Sequence, residues 1–509
     1  MPRGVTKSMR DLSARPLFVF EMANNHMGHV EHGLRIVEAM REASRGFPFS
    51  FAVKLQYRDL DTFIHPDYRN RRDLKFVKRF SETRLSWKQY EQIKNAIDEA
   101  GFISVCTPWD EISVDRIEEH GYDLIKIPSC YLTDWPLLER IAKSNKPVIA
   151  STAGVGLADI DRVVSFLRHR DKIFSILHCV GEYPTRDENL HLGQIRLLRE
   201  RYHDVEIGYS THERPGNLDA VKIAIGMGVT LFEKHVGVPT EGIKLNAYSA
   251  DPGQVRAWLQ SAADAYGMCG AKNERYPFTP LEVQTLRDLQ RGVFAKKEIQ
   301  SGERLEAANV FFAIPNTPTQ IVANDFSKYT DFRTTEPIPV GAPALSTNLQ
   351  TCDRMRQVLQ IVGEVKKMLK RSKVVVPGQC ELEISHHYGI EHYAKFGLTM
   401  ITVVNREYCK KIIVMLPGQM HPEQYHEQKD ETFHILYGEL TLSLDGVSRV
   451  CKANDVIVIP RKVRHEFTTR TGAVIEEVSS SHNRVDSFYT DPVINANQAR
   501  KTLVAYWMN

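Results

Sequence analysis

The sequence predicts a parallel (β/α)8 barrel, then a small β-rich module, then an antiparallel β-barrel at the C-terminal end. Three observations carry this reading. From Pro16 to about Tyr266, short apolar, β-branched runs alternate with amphipathic stretches, the rhythm of parallel strands joined by helical crossovers. Eight such units in ~250 residues match the size and count of a TIM barrel, with an open doubly wound sheet as the runner-up. After Pro280 the rhythm breaks into short pieces punctuated by Pro and Gly, and beyond Lys373 closely spaced strands and turns replace the helices.

The barrel strands are read over Leu17 to Met22, Ser50 to Gln56, Gly101 to Cys106, Leu124 to Ile127, Pro147 to Ser151, Ile173 to His178, Val205 to Tyr209 and Thr230 to His235. Helical patterns between them include Glu31 to Ala43, Trp87 to Ala100, Leu190 to Arg201 and Pro252 to Tyr266. Past Asp353, residues Met355, Val358, Leu359, Val362, Val365 and Leu369 follow the i, i+3, i+4, i+7 spacing of a one-sided helix, too short for a coiled coil and read as a docking linker. The last strands are expected over Leu398 to Asn405, Lys410 to Leu416, Thr432 to Leu436, Leu440 to Leu444 and Asp455 to Ile459, with turns at Gly438 and Asp445-Gly446. The expected domains are 16–285, 286–350, a helical linker 351–372, and 373–509.

Composition narrows the function. The 66 Lys and Arg against 63 Asp and Glu leave a formal charge of +3 over 509 residues, with no basic stripe for a phosphate backbone, so nucleic acid is not the expected partner. No apolar run reaches the ~18 residues of a membrane span, and Met1 to Arg15 carry charges without a hydrophobic stretch. Cysteines stand scattered at 106, 130, 179, 269, 352, 380, 409 and 451, with no CxxC pair. A reduced, cytoplasmic protein, neither secreted nor membrane-bound, is expected.

Nearly every barrel strand ends in a polar or ionisable residue, although the interiors of parallel strands are apolar. In chain order these are Glu21 with Asn25 and His26; Lys54 and Gln56; Thr107 and Asp110; Lys126 and Ser129; Ser151 and Thr152; His178 and Tyr183; Ser210 and His212; and Glu233, Lys234 and His235. Any one alone reads as a capping or solvated residue. Together they supply positive charge and neutral donors at one rim, which is what a small molecule bearing both phosphate and carboxylate requires. His212 and His235 are placed to share a divalent metal, and Glu21 is the candidate general acid or base.

The strings Glu21 to Gly28 (EMANNHMG), Val53 to Gln56 (VKLQ), Thr107-Pro108-Trp109-Asp110, Lys126-Ile127-Pro128-Ser129, Ser151-Thr152-Ala153-Gly154, His178-Cys179 with Tyr183-Pro184, Ser210-Thr211-His212 and Glu233-Lys234-His235 resemble, in order and spacing, the sialic acid (N-acetylneuraminate) synthases. Ala295-Lys296-Lys297-Glu298-Ile299 with Gly302-Glu303 is similar to that family's antifreeze-like (SAF) domain. The resemblance implies condensation of phosphoenolpyruvate with an open-chain sugar aldehyde, giving a 3-deoxy-2-keto acid of the nonulosonate type and phosphate. It places the carboxylate on Lys54 and the phosphate on Thr107, Lys126, Ser129, Ser151 and Ser210. Gln56 and Tyr183 fall to the substrate, a divalent ion (Mn2+ or Mg2+) to His212 and His235, and a proton to Glu21. It also implies a domain-exchanged homodimer. A noncatalytic carbohydrate-binding protein on an inactive barrel is the alternative, and an aldolase would want a Schiff-base lysine in an apolar pocket.

The chain departs from that pattern at the sugar. Cys130-Tyr131 stand where members that read N-acetylmannosamine carry a Glu, and Leu245-Asn246 where they carry an Asp before a His. Gly181 replaces an Asn, and Ile314 replaces an Arg. These departures imply a different aldose or a modified hexosamine.

In the last domain Gln424, His426 and Glu431 precede Gly438, and His465 follows after a strand pair, spacings that resemble the two cupin motifs with Gln424 in place of the first histidine. An amide oxygen suits Mn2+, Fe2+ or Ni2+ better than a structural zinc site. His421 is an alternative ligand, and a barrel that has lost its metal is the bland reading. His387-Tyr388-Gly389, Pro422-Glu423-Gln424-Tyr425-His426 and Glu476-Glu477-Val478-Ser479-Ser480 resemble metal-dependent cupin sugar isomerases such as the D-lyxose isomerase group. That likeness implies proton transfer by Glu431 or Glu477, with a noncatalytic sugar-binding module as the rival.

Overall fold

Leu17, Val19 and Glu21 point to one side of the first strand and Phe18 and Phe20 to the other, and this period-two alternation organises the N-terminal unit. The computed structural model describes residues 15–270, 274–327, 329–480, 483 and 486–508. It divides into two compact units, the chain passing from one to the other between Pro277 and Phe278. Of the segment Met1 to Arg15, residues 1–14 lie outside the described residues.

Strands β1 (Leu17–Glu21), β2 (Ser50–Tyr57), β3 (Ile103–Pro108), β4 (Leu124–Ile127), β5 (Val148–Ser151), β6 (Phe174–Cys179), β7 (Glu206–Thr211) and β8 (Leu231–His235) pair in chain order, and β8 returns to β1 to close a parallel barrel. The inward row Leu17, Val19, Ala52, Val105, Leu124, Ile149, Leu177 and Leu231 fills the interior. Outward residues such as Phe18, Phe20, Val53, Leu55, Ile125 and Tyr209 pack beneath the surrounding helices. Gly208 occupies an inward position where a Cβ would lie 2.4 Å from Leu177 Cδ2 and 2.5 Å from the Leu231 carbonyl, so the row tolerates no side chain there. Most strands lie within a residue of their expected limits. The third begins two residues late because Gly101, at φ +79, and the bonds from Gly101 N to Asp98 O and Phe102 N to Ile97 O still close the preceding helix.

The second unit opens with a small module. Strand β9 (Gly292–Ala295) pairs with β10 (Val310–Ala313) and β11 (Thr330–Thr334) with β12 (Leu349–Asp353), around Val293, Ile299, Leu305, Phe332, Ile338 and Ala344. The helix Met355–Ser372 buries Val358, Ile361, Val362, Val365, Met368 and Leu369 against Leu382, Ile384, Ile401, Ile412, Val414 and Trp507. Two residues of its expected stripe, Met355 and Leu359, sit at the flank of that face and remain 40% and 64% exposed.

The C-terminal strands curl into a cupin-like antiparallel barrel. They are β13 (Glu381–His386), β14 (Gly397–Asn405), β15 (Tyr408–Met415), β16 (Met420–Tyr425), β17 (Glu431–Leu444), β18 (Val447–Lys452), β19 (Val456–Ile459), β20 (His465–Thr468), β21 (Ala473–Ser480), β22 (Phe488–Tyr489) and β23 (Lys501–Val504). The turn expected at Gly438 is absent. Strand β17 runs through that position with a register shift against β21 between Ile435 and Tyr437, and Gly438, at φ +80, lies so close to Gly472 that a Cβ would meet its carbonyl at 2.0 Å. Asp445-Gly446 does turn, with φ of +47 and +84, and joins β17 to β18. Among the described residues no helix is long and apolar enough to cross a membrane.

Candidate active site

Two residues beyond the apolar inward row, the same face of each barrel strand turns polar: Glu21, Lys54, Thr107, Lys126, Ser151, Cys179, Ser210 and Glu233. All eight are buried. The alternation that fills the barrel with Leu, Val and Ile therefore delivers these side chains to one level at the C-terminal rim.

Glu233 is the hub of this layer. Lys126 Nζ donates to its two oxygens at 2.7 and 2.8 Å, Lys54 Nζ lies 2.8 Å from Oε2, and Ser210 Oγ donates to Oε1 at 3.0 Å. Lys54 also pairs with Glu21, whose Oε1 accepts from the Ala23 N–H at 2.5 Å. Burial acts to raise the Glu233 carboxyl, yet Lys126 and Lys54 overcome it and hold the group well below the usual carboxylate range. For Lys54, burial prevails over Glu233 and brings the ammonium down to about 7. Glu233 was visible as a polar strand end, but its bridging role was not, because its partner Lys126 lies 107 residues away.

The hydroxyls divide into two groups. Ser210 is bound to Glu233, and Ser129 Oγ accepts from the Ala153 N–H at 2.9 Å. Thr107 Oγ1 and Ser151 Oγ are buried and, among the described residues, have no hydrogen-bond partner. Two orphan hydroxyls beside two ammoniums form a ready acceptor for an oxyanion.

His212 and His235 come from adjacent β7 and β8, their ring centroids 5.3 Å apart. His212 Nδ1 binds the Val180 carbonyl at 2.8 Å, which leaves Nε2 as its free nitrogen. Burial lowers the pKa of both rings, which favours the neutral imidazole, the form that can ligate a divalent ion. Tyr183, 55% exposed, stands 4.3 Å from His212 ring to ring, and Tyr248, which sequence reasoning missed, stands 5.1 Å from His235.

Other rim residues have local duties. His178 turns outward and bonds the Leu190 carbonyl at 2.8 Å, and Lys234, also outward, pairs with Glu213 at 2.9 Å. Asp110 caps the helix Glu111–Glu119 through Ser113 N, Thr152 Oγ1 donates to Leu177 O, and Asn25 ties to Val236 O and Ser249. Gln56 Oε1 accepts from Arg58, a buried guanidinium the sequence reading did not single out.

In the C-terminal barrel, His426, Glu431 and His465 converge and are buried, the one such three-residue cluster among the described residues. His426 Nδ1 bonds the Asp486 carbonyl and His465 Nδ1 the Val463 carbonyl, so each ring turns its Nε2 inward, 3.3 Å from a Glu431 oxygen. Two imidazole nitrogens and a carboxylate oxygen within 4.8 Å of one another are a donor set that fits a divalent ion. The Gln424 amide lies 3.4 and 3.3 Å from the same two nitrogens, and half a turn about its axis brings its oxygen there. Lys429 bridges Glu431 and Glu477. His421 instead stacks on Phe467 and faces His387, and is not one of the three converging ligands.

The comparisons with known proteins follow the same division. The NeuB family model matches residues 50–274. A crystal structure from Chromobacterium violaceum, provisionally named spore coat polysaccharide biosynthesis protein E, is 52% identical and covers 66% of this chain and 100% of its own, with a TM-score of 0.64. The chain belongs to the NeuB family. Mouse N-acetylneuraminate-9-phosphate synthase is 23% identical over 57% of this chain and 81% of its own length. Campylobacter jejuni N,N'-diacetyllegionaminic acid synthase is 23% identical over 62% and 94%. NeuB relatives are thus named synthases of sialic-acid type, and the chain is an enzyme of the carbon–carbon bond-forming transferase class. A cupin domain model matches residues 411–476, in agreement with the curled C-terminal sheet.

Within the NeuB barrel the departures noted in the sequence have physical occupants. Tyr131 packs edge-on against Trp109, ring centroids 5.2 Å apart. Asn246 accepts from the Tyr248 and Ser249 N–H groups and shapes the loop that carries Tyr248, while Leu245 fills the space above Gly237. In the second unit Ile314 is 67% exposed.

Proposed function

We propose that the barrel condenses phosphoenolpyruvate with the aldehyde of an open-chain sugar, giving a 3-deoxy-2-keto acid of the nonulosonate type and phosphate. The observation that carries this reading is the pair of partnerless hydroxyls, Thr107 and Ser151, set inward beside Lys54 and Lys126. Lys54 meets the carboxylate, and Thr107, Lys126, Ser129, Ser151 and Ser210 meet the phosphate. Gln56 and Tyr183 line the sugar. C3 of the enol bonds to the aldehyde carbon, whose oxygen takes a proton; water adds at C2, and phosphate leaves as the keto group forms. Glu21, buried against Lys54, moves the proton of that water or of the sugar hydroxyl. A divalent ion, Mn2+ or Mg2+, held by His212 and His235 would supply Lewis-acid polarisation of the aldehyde.

The C-terminal barrel serves the same sugar. Residues Gln424, His426, Glu431 and His465 would hold a second divalent ion, and Lys429 ties the buried Glu477 carboxylate to Glu431, which favours a sugar isomerase over a passive binding module. Residues 286–350 act as the antifreeze-like module of a domain-exchanged homodimer, so light scattering should give twice the 58.2 kDa of one chain. Incubation with phosphoenolpyruvate, Mn2+ and a panel of aldoses tests the main reading. Phosphate release that requires an aldose supports it; release independent of aldose, or none with any aldose, contradicts it.

A further inference from the structure

Residues 54, 56 and 58 share one face of β2 and its continuation, at ~6.6 Å per pair of residues, so Arg58 stands ~13 Å above Lys54 on the same line. The Arg58 guanidinium lies over two rings at once, 4.1 Å from the Phe80 centroid and 4.0 Å from that of Trp109. Its terminal nitrogens reach the amide oxygens of Gln56 and, at 3.4 Å, Asn24. The side chain is only 9% exposed, yet among the described residues no carboxylate pairs with it. Every other buried cation of this rim has such a partner: Lys54 and Lys126 have Glu233, and Lys234 has Glu213.

Two further observations point to a missing acceptor. Arg58 Nε and Trp109 Nε1, both donors only, are buried without a hydrogen-bond partner among the described residues. The guanidinium also borders a small polar cavity lined by Asn24, Thr83, Arg84 and Tyr90, where Arg84 has its own charge matched by Asp61. A desolvated charge held flat by two aromatic faces is fixed in orientation, and its fork suits a planar or tetrahedral oxyanion. Tyr131, packed on Trp109, brings no negative charge to this side of the rim.

We propose that Arg58 receives an anionic group, a carboxylate or a phosphate ester, at the end of the acceptor sugar remote from its aldehyde. This rests on the condensation reading above, in which Lys54 meets phosphoenolpyruvate lower on the same strand. The span from Lys54 to Arg58 accommodates the three-carbon enol and a six-carbon open chain end to end. The acceptor is then an acidic sugar, either a hexose 6-phosphate or a uronic acid.

The test compares N-acetylmannosamine, its 6-phosphate and N-acetylmannosaminuronate as acceptors with phosphoenolpyruvate and Mn2+, read by phosphate release. One of the acidic sugars should exceed the neutral one about 100-fold in kcat/KM, and which one it is separates phosphate from carboxylate. Arg58→Gln should collapse that ratio towards one, mainly through the KM of the acceptor, and Arg58→Lys, which keeps the charge but loses the fork, should restore part of it. Calorimetric titration of the three sugars into the unaltered protein needs no variant and should give the same order. Condensation that favours the neutral sugar, or an acidic preference that survives Arg58→Gln, overturns the assignment while leaving the condensation reading intact. No phosphate release with any of the three overturns the assignment, and release with no aldose of the wider panel overturns the condensation reading as well.

Discussion

Lys126 on β4 donates to both carboxylate oxygens of Glu233 on β8, at 2.7 and 2.8 Å, across the interior of the barrel. Lys54 completes the group from β2. Glu233→Gln keeps the shape but leaves Lys54 with Glu21 alone and takes from Lys126 the carboxylate it pairs with, and loss of one partner of a buried pair costs about 3–5 kcal/mol. Urea unfolding of the variant should show that loss; a midpoint equal to the parent's would show that Glu233 is not the counter-ion of this layer.

Glu21→Gln should lower kcat by about 100-fold or more, because it removes the ionisable group and keeps the acceptor for Ala23 N–H. Phosphoenolpyruvate binding, measured by calorimetry without acceptor, should persist. Unchanged turnover would remove Glu21 from proton transfer.

Metal content distinguishes the two candidate centres. After dialysis against Mn2+ and then buffer, the parent should retain about two ions per chain, and either His235→Ala or His426→Ala should remove one. Loss of condensation should accompany the first variant but not the second. Equal content in all three proteins would show that these imidazoles do not hold the ions.

His26 makes stability depend on pH. Burial, with Arg58 adding to it, lowers its pKa to about 4, against 6.5 for an open chain, and its Nδ1 accepts from the Gly28 N–H. Below about pH 6.5 the unfolded chain takes up a proton that the folded barrel refuses until about pH 4, so stability is full above 6.5 and falls by about 3 kcal/mol across that window. His26→Asn keeps an acceptor in place of Nδ1 without a titrating group and should flatten that part of the profile. An identical acid slope in both proteins would assign it to other groups.

The barrel was legible because its strands are buried on both faces and read as apolar runs, and because each polar residue of the rim interrupts such a run at its C-terminal end. What the sequence did not show was direction. His178 and Lys234 differ from Cys179 and Glu233 by one residue, and that single step sends them to the helices instead of the interior. Nor could it show Arg58, whose isolation depends on where Phe80 and Trp109 fold over it. The C-terminal barrel was harder to read because polar side chains enter its interior beside the apolar core. Strand β16, with His421 and Gln424, and strand β20, beginning at His465, lack the apolar alternation that marks a strand, and both were missed for that reason.

Carbon–carbon bond formation is the central claim, and isotope labelling reads it directly. Phosphoenolpyruvate labelled with 13C at C3 and an accepted aldose labelled at C1 are mixed with the protein and Mn2+, and the product is observed by NMR. Condensation gives a methylene carbon with one-bond coupling to the former aldehyde carbon, formed in step with phosphate. A pyruvate methyl signal without coupling, from simple phosphate hydrolysis, would contradict it.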